Sequence, residues 1–428
     1  MEEGFWRGPI RVVVLLRLDG CIEAEFLVEA LERLQRRHPK LRAVIAPGSG
    51  GRSRYQFDQL AAPIPFEITD CDEGESPWRE ETRRLLELDS PPAGPLAAVS
   101  VLRSRSRGWC ELILSVYHGI ADGRSGLTLV DDLLTEYANA EAHLEATPRP
   151  ALPAISAARA RPSGGWRGRF RLIRRFVRIQ REERRSRQTS LPEGRDIPPL
   201  SQWMHWVLSR EDTHRLVRRC RTEQVSSSGA LAAAAYCGLM DCLPVSEAFF
   251  KWHCPFDVRE SLQGPYGPVT AQDLGSFASM MRGFYKVPQQ PAFWDLARRV
   301  HQDIQMFVKQ GGPAFAYNLG RVAVSRLFPQ VEPVLLPWGS KRPTVLFTNY
   351  GVLNIRNAYG GLRPRECTLI FKGDNSARPW LIMEALVMGQ QLNIGFAADG
   401  LEPAFWDRLH VAVGRHVAAA AAPAKPGI

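Results

Sequence analysis

Long hydrophobic runs are missing from this 428-residue sequence. The first apolar stretch, Val12 to Leu16, is too short for a membrane span or a signal-peptide core, and it follows an acidic Met1-Glu2-Glu3-Gly4. The expectation is a chain with no targeting segment. Paired cysteines are missing too. Cys21, Cys71, Cys110, Cys220, Cys237, Cys242, Cys254 and Cys367 form no C-x-x-C unit and no Cys/His cluster at zinc spacing. That argues against a metal site and for free thiols in a reducing cytoplasm. There is also no G-x-S-x-G, the context in which a serine nucleophile is presented.

Charge of one sign is scarce outside a single stretch. The formal net charge is +10, and the segment Arg159–Arg187 holds twelve arginines and two glutamates, which accounts for all of it. The remainder has 43 basic and 43 acidic residues and is neutral. Proline-rich flanks (Pro148, Pro150 and Pro153 before, Pro192, Pro198 and Pro199 after) mark residues 151–197 as a basic connection between two domains. A chain of this length is too long for one ordinary core, so two units are expected. Within the connection, Trp166, Phe170, Ile173 and Val177 recur at spacings of four, three and four, one face of a helix, with arginines around the rest. Such a helix can pack on its own domain with its arginines solvated, dock an acidic protein, or lie on an anionic membrane. No recognition motif accompanies the charge, so nucleic acid is not an expected partner.

The N-terminal third alternates strand and helix. Ile10–Leu18 reads as a strand closed by Asp19-Gly20. Glu23–Arg37 reads as an amphipathic helix stopped by His38-Pro39, because proline cannot continue the ladder. Leu41–Ile45 resumes as a strand, Trp78–Glu87 as a helix, Leu96–Leu102 and Cys110–Val116 as paired strands, and Leu127–Tyr137 as a helix. The loop between the last two is His118 to Arg124. A strand end leading into a loop and a helix is where α/β proteins hold catalytic groups while leaving them exposed. His118 and Asp122 lie four apart, with Gly119 and Gly123 each following one of them and able to turn sharply. Two readings remain open at this level: a histidine base braced by an aspartate, or a histidine that ends a strand.

His118-Gly119-Ile120-Ala121-Asp122-Gly123, followed by Ser125-Gly126 and an apolar helix through Asp131-Asp132-Leu133-Leu134, resembles the H-x-x-x-D-G signature of the chloramphenicol-acetyltransferase-like superfamily. Further segments fall in that family's order. They are Leu18-Asp19-Gly20, Arg37-His38-Pro39-Lys40-Leu41-Arg42, Pro95-Leu96, Val225-Ser226-Ser227-Ser228-Gly229, Phe256-Asp257-Val258-Arg259 and Thr348-Asn349-Tyr350-Gly351. Two features depart from it. Tyr117 stands where condensation domains carry a first histidine, and no D-F-G-W-G segment is present, which argues against the plant branch. A free-standing acyltransferase of bacterial type fits best.

The resemblance implies a mixed α/β (α+β) fold of two acyltransferase-like subdomains, 1–150 and 198–428, in a V-shaped pseudo-dimer with the site in a channel between them. It implies an acyl group moving from a thioester, on coenzyme A or the phosphopantetheine of a carrier protein, to a hydroxyl or amine, with no bound cofactor. His118 would be the general base, Asp122 and Gly123 would shape its loop, and Asp122 would pair with an arginine, for which Arg259 is the candidate. Thr348, Asn349 and main-chain N–H groups near Gly123 are candidate oxyanion donors. Arg171, Arg174, Arg175 and Arg178 are candidates for docking an acidic carrier protein or a membrane carrying a lipid acceptor. The other function classes are a catalytically silent carrier-binding homologue and a same-fold enzyme of cyclisation, dehydration or epimerisation. The intact motif argues against the first of these.

Overall fold

The computed structural model describes residues 10–422 apart from 48–52, 58–61, 73–75, 89–94, 145–158, 162–164, 187–188, 199, 265–266, 323–343 and 372–379. The proline-rich stretch expected at Thr147–Pro153 lies outside the described residues. The first part of the chain runs β1 (Arg11–Asp19), α1 (Ala24–Arg37), β2 (Ala43–Pro47), β3 (Ser53–Phe57), β4 (Phe66–Asp70), α2 (Trp78–Leu86), β5 (Ala97–Ser104), β6 (Trp109–Tyr117) and α3 (Gly123–Glu141). Next come β7 (Arg159–Ala160) and α4 (Gly165–Arg185). The rest is β8 (Trp203–Val207), α5 (Arg210–Thr222), α6 (Ser227–Cys242), β9 (Glu247–Asp257), β10 (Leu262–Gly264), β11 (Gly267–Pro268), β12 (Ala278–Pro288), α7 (Phe293–Lys309) and α8 (Gly312–Val322). It ends with β13 (Thr344–Val352), β14 (Arg363–Phe371), β15 (Trp380–Met388), β16 (Gln391–Asp399) and α9 (Pro403–Ala421).

Two sheets organise these elements. One has the order β14-β1-β6-β5-β4 and the other β12-β9-β13-β15-β16-β8. β1 reads as an unbroken apolar run because both its faces are covered. Val12, Val14, Leu16 and Leu18 pack with residues of α1 and α3, while Val13 and Leu15 join Leu85 of α2, Ile113 and Ile370 on the opposite side. In the second sheet β13 pairs parallel to both β9 and β15, and its Val345 and Phe347 enter a core with α6, α7 and α9.

The expected division of the chain is crossed by one strand. β14 lies far beyond residue 198, yet it pairs antiparallel with β1 at the edge of the first sheet, Val14 opposite Leu369. The two halves are therefore joined by main-chain hydrogen bonds as well as by the connection near α4.

Helix α6 shows why an alanine-rich segment is needed in the second core. Its sequence is apolar all round and it is buried on nearly every side, which small residues permit by letting neighbouring helices come close. Ser226 caps it, its hydroxyl accepting from the Gly229 N–H at 3.2 Å. At Gly238 the approach of α9 is close: an added Cβ would stand 2.6 Å from a Val413 methyl and 2.9 Å from the Val413 nitrogen. No described helix is long and apolar enough to cross a membrane, all eight cysteines are free, and no group of three or more His, Cys, Asp or Glu among the described residues could hold a metal.

Because backbone as well as side chain of α9 opposes a larger residue at Gly238, Gly238→Val is expected to cost about 1–3 kcal/mol. Urea denaturation should show a lower midpoint with an unchanged slope. An unmoved midpoint would mean that α9 shifts freely on α6.

Candidate active site

The strand β6 ends at Tyr117, and residues 118–120 form a turn rather than a longer loop. His118 opens that turn. Its N–H donates to the Ile10 carbonyl at 2.9 Å, and the Ile120 N–H closes the turn on the Tyr117 carbonyl at 3.0 Å. The helix after it starts at Gly123, four residues earlier than the periodicity at Leu127–Tyr137 indicates, because Asp122 caps it. Apolar periodicity marks where a helix packs; the cap decides where it begins.

Asp122 is buried and its carboxylate is fully used. Oδ1 accepts from the Ser125 N–H at 2.8 Å and from Arg259 Nη2 at 2.8 Å, and Oδ2 accepts from the Phe277 N–H at 2.9 Å. The structure thus brings together the two residues singled out from the sequence as a pair, one at the start of α3 and one in the turn after β9. Arg259 Nη2 also donates to Ser125 Oγ at 2.7 Å, and Nη1 to Asp257 Oδ1 at 2.9 Å, while the guanidinium lies over the Phe277 ring at 4.8 Å. Asp257 in turn faces Arg124 at 3.5 Å, whose Nη1 donates to the Tyr350 carbonyl at 3.0 Å. Ser125 donates to the Gly275 carbonyl at 3.0 Å, and the Asp122 N–H donates to that same carbonyl at 3.0 Å.

The electrostatics follow from this enclosure. Burial pushes the Asp122 carboxyl upward, but the Arg259 charge and the hydrogen bonds from Arg259, Ser125 and Phe277 outweigh it and hold Asp122 below the ordinary carboxylate range. Burial acts downward on Arg259, and Asp122 and Asp257 raise it overall. For His118, burial lowers the imidazole below its ordinary value; a hydrogen bond with its own main chain and the Asp122 charge oppose this only in part. The lowered value favours the neutral imidazole at pH 7. The histidine keeps part of its surface accessible while lying 6.3 Å, ring to ring, from Phe371 of β14.

Residues on β13 complete the surroundings. Thr348 and Tyr350 share one face of the strand, and Asn349 points to the other. Thr348 is buried and its hydroxyl hydrogen-bonds the Tyr350 phenol. Asn349 is exposed and held at the start of α6, donating to Ser228 Oγ at 3.0 Å and Ser227 Oγ at 3.4 Å. The Tyr350 ring covers Gly123 so closely that an added Cβ would collide with its hydroxyl. Gly123 is thus glycine for contact with β13 as much as for the turn.

Sequence reasoning did not single out Tyr350, Phe277 or Glu384 and gave Ser125 no role of its own. Glu384 is an ionisable residue inside the apolar run Trp-Leu-Ile-Met-Glu-Ala-Leu-Val-Met of β15, a visible signal. It accepts from the Thr368 hydroxyl and from the Leu369 N–H at 2.7 Å, and burial pushes its carboxyl up to about 8. The Arg37-His38 segment also finds its reason here. Arg37 Nε and His38 Nε2 both meet Asp132 Oδ2, at 3.1 and 2.7 Å, which ties the end of α1 to the middle of α3. Of the four arginines considered for docking, Arg171, Arg174 and Arg178 are exposed. Arg175 is turned inward and pairs with Asp303 at 2.9 Å, so it is not a docking residue.

Two outcomes are expected. Asp122→Asn removes the buried partner of Arg259 and leaves only the half-exposed Asp257 to match its charge, a loss of about 3 kcal/mol, and Asp122→Asn with Arg259→Gln should be strongly non-additive in a double-mutant cycle. Because the folded-state Asp122 lies below its unfolded value near 3.8, its stabilisation is present above that pH and lost as pH falls through the folded value. Thermal melts between pH 7 and 3 should show this component in the native protein and not in Asp122→Asn. For Gly123→Ala, the clash with Tyr350 should lower stability, and Tyr350→Ala should restore much of it; equal losses with and without the tyrosine would show that the ring is not what excludes a side chain.

No family model matches the chain. It is 25% identical over 295 residues to the phthiocerol/phthiodiolone dimycocerosyl transferase of Mycobacterium tuberculosis, covering 65% of this chain and 66%, just under two thirds, of that relative. Among solved structures, it superposes on the trichothecene 15-O-acetyltransferase TRI3 of Fusarium sporotrichioides with a TM-score of 0.68 at 12% identity, over 97% of this chain and 92% of the other. It superposes on the first condensation domain of the CDA synthetase with a TM-score of 0.63 at 16% identity, over 98% and 92%. Its mixed α/β architecture is theirs.

Proposed function

We propose that this protein is an acyltransferase, with His118 as general base, that moves an acyl group from a thioester to a hydroxyl or amine acceptor. The observation that carries this reading is the placement of a neutral, partly accessible imidazole at the end of β6, in a turn locked by the buried Asp122–Arg259 pair. The name of the curated relative, a transferase, and that of the TRI3 neighbour, an O-acetyltransferase, agree with it.

The chemistry is a direct transfer. His118 takes the proton of the acceptor O–H or N–H as the oxygen or nitrogen attacks the thioester carbonyl; the C–S bond breaks, and the proton passes to the departing thiolate. A lowered imidazole pKa keeps the base unprotonated at and somewhat below neutral pH. Asp122 does not relay the proton, since its oxygens are taken by Ser125, Arg259 and Phe277. Its role is to hold the turn. The tetrahedral oxyanion needs donors, and first-turn N–H groups of a helix are free of the helical ladder. The Gly123 N–H, at the start of α3, fits that task better than Asn349, whose amide is engaged by Ser227 and Ser228, or Thr348, engaged by Tyr350.

The donor is an acyl-coenzyme A or an acyl group on the phosphopantetheine of a carrier protein, and the acceptor is a small molecule or a lipid. No cofactor is required. The eight free thiols fit a cytoplasmic setting. A silent carrier-binding role would not need the motif, and His118, Asp122 and Gly123 are all in place.

His118→Ala should lower kcat by on the order of 10²–10⁴ with an unchanged melting temperature. In the native enzyme the acid limb of kcat/KM should have its midpoint below 6.5, the ordinary value for histidine. An alanine variant of near-normal activity would overturn the mechanism, whatever the pH profile.

A further inference from the structure

Helix α4 has two apolar faces, and among the described residues the larger one is unpartnered. Leu172 and Ile179 are buried against the body of the protein, where α4 packs on α8 and β12. The stripe that marks this helix in the sequence is on the other side. Trp166 is 74% exposed, Phe170 56%, Ile173 50% and Val177 39%. Thirteen large apolar side chains are exposed among the described residues, and these four are consecutive on one helix face, about 16 Å long at 1.5 Å per residue. Met306 and Val308, both 49% exposed, stand at the end of α7, whose Asp303 is the partner of Arg175 on α4.

The rotational setting of the helix is fixed by charge. Arg175 reaches inward to Asp303 and, at 3.4 Å, to the Arg282 carbonyl. About two helical turns later, Glu183 reaches inward to Lys251 and faces Arg282. These two inward contacts hold Leu172 and Ile179 against the body and so turn Trp166, Phe170, Ile173 and Val177 outward. The outward stripe is a consequence of how the helix is fastened.

What surrounds the stripe identifies its partner. Eight of the nine arginines on α4 are exposed, against one exposed carboxylate, Glu182. Guanidinium groups lie beside the aromatic rings themselves, Arg167 5.5 Å from Trp166 and Arg174 5.9 Å from Phe170. We propose that α4 is an interfacial helix that seats the protein on an anionic phospholipid surface, its aromatic stripe entering the headgroup boundary and its arginines contacting lipid phosphates. Long side chains of arginine reach from the helix flank to the charged layer while the rings insert. A convex single-helix stripe offers little of the roughly 800 Å² that a stable protein partner needs, whereas a bilayer requires no shape complement. The proposal stands apart from the acyl-transfer reading, because membrane seating is measured without turnover.

The test is co-sedimentation of the full chain with phosphatidylglycerol/phosphatidylcholine vesicles and with phosphatidylcholine vesicles alone. Two variants are compared: Arg171→Gln/Arg174→Gln/Arg178→Gln, and Trp166→Ser/Phe170→Ser/Ile173→Ser. The native protein should bind the anionic vesicles and not the neutral ones. The glutamine variant should bind about 100-fold more weakly. The serine variant should lose the salt-resistant part of binding, with both variants melting at the native temperature. Failure of the native protein to bind anionic vesicles overturns the proposal, as does binding that the serine variant retains in full. Two further results also overturn it: a lowered melting temperature of the serine variant without native vesicle binding, which would show the stripe packed within the protein, and capture of an acidic acyl carrier protein by the native helix but not the variants in the absence of vesicle binding.

Discussion

A carboxylate and a guanidinium, Asp122 and Arg259, meet at 2.8 Å where neither has more than a few per cent of its surface exposed. Burying two such charges is costly, and their mutual attraction offsets that cost only when the remaining lone pairs and protons are also satisfied. Here nearly all are: three donors converge on Asp122, and Arg259 reaches Asp122, Ser125 and Asp257. The pair therefore does more than add stability. It links the start of α3, which belongs with the first sheet, to the turn after β9 and the segment at Gly275–Phe277, which belong with the second. His118 lies between the end of β6 and this cap, so its position is set from both ends by structure it does not itself build.

The same seam is closed on the opposite side by β14 and β13. β14 leaves the second half to pair with β1, and Phe371 at its end comes beside His118. β13 remains in the second sheet, but Tyr350 on its outward face joins the core of the first half and covers Gly123. His118, early in the chain, thus lies beside an aromatic ring supplied from much later in it. Burial lowers the imidazole pKa, and the tasks within the motif are separated by exposure: the histidine is left with accessible surface, and the aspartate with almost none. A base needs access to the acceptor's proton; a brace needs protection from water.

Much of this architecture is legible in the amino-acid sequence. Local periodicity places β1, α1, α2, β5 and β6 to within a few residues, because each has an apolar pattern that a helix or strand must bury. The pairing of Asp122 with Arg259 is not readable from spacing, since 137 residues separate them; it follows from the resemblance in motif order. What no local pattern can give is the path of β14. Its sequence specifies a strand but not which sheet accepts it, and edge pairing with β1 is decided by the connection and by the hydrophobic faces it joins. Tyr350 escapes a sequence reading for a similar reason. Its neighbours Thr348 and Asn349 carry the polar signal, yet the residue that touches the motif is the aromatic one, two places beyond Thr348 on the same face.

Helix α4 shows the limit of periodicity in sharper form. The four-three-four spacing of Trp166, Phe170, Ile173 and Val177 correctly specifies a helix, and taken alone it would also specify the buried face. That inference assumes that burial of apolar surface sets the rotation of the helix. In this protein the rotation is set by Arg175 with Asp303 and Glu183 with Lys251, partners drawn from α7 and β9 far along the chain. Once those contacts are made, two smaller apolar residues face inward and four others, two of them aromatic, face water. With a body that is otherwise neutral, the entire formal charge of the chain is gathered in the segment that carries that outward stripe. A field so localised orients a molecule as well as attracting it, because only one side responds to an anionic surface. The charge and the exposed apolar surface therefore point in the same direction from the body, and they do so because a few inward ion pairs fix the helix that carries both.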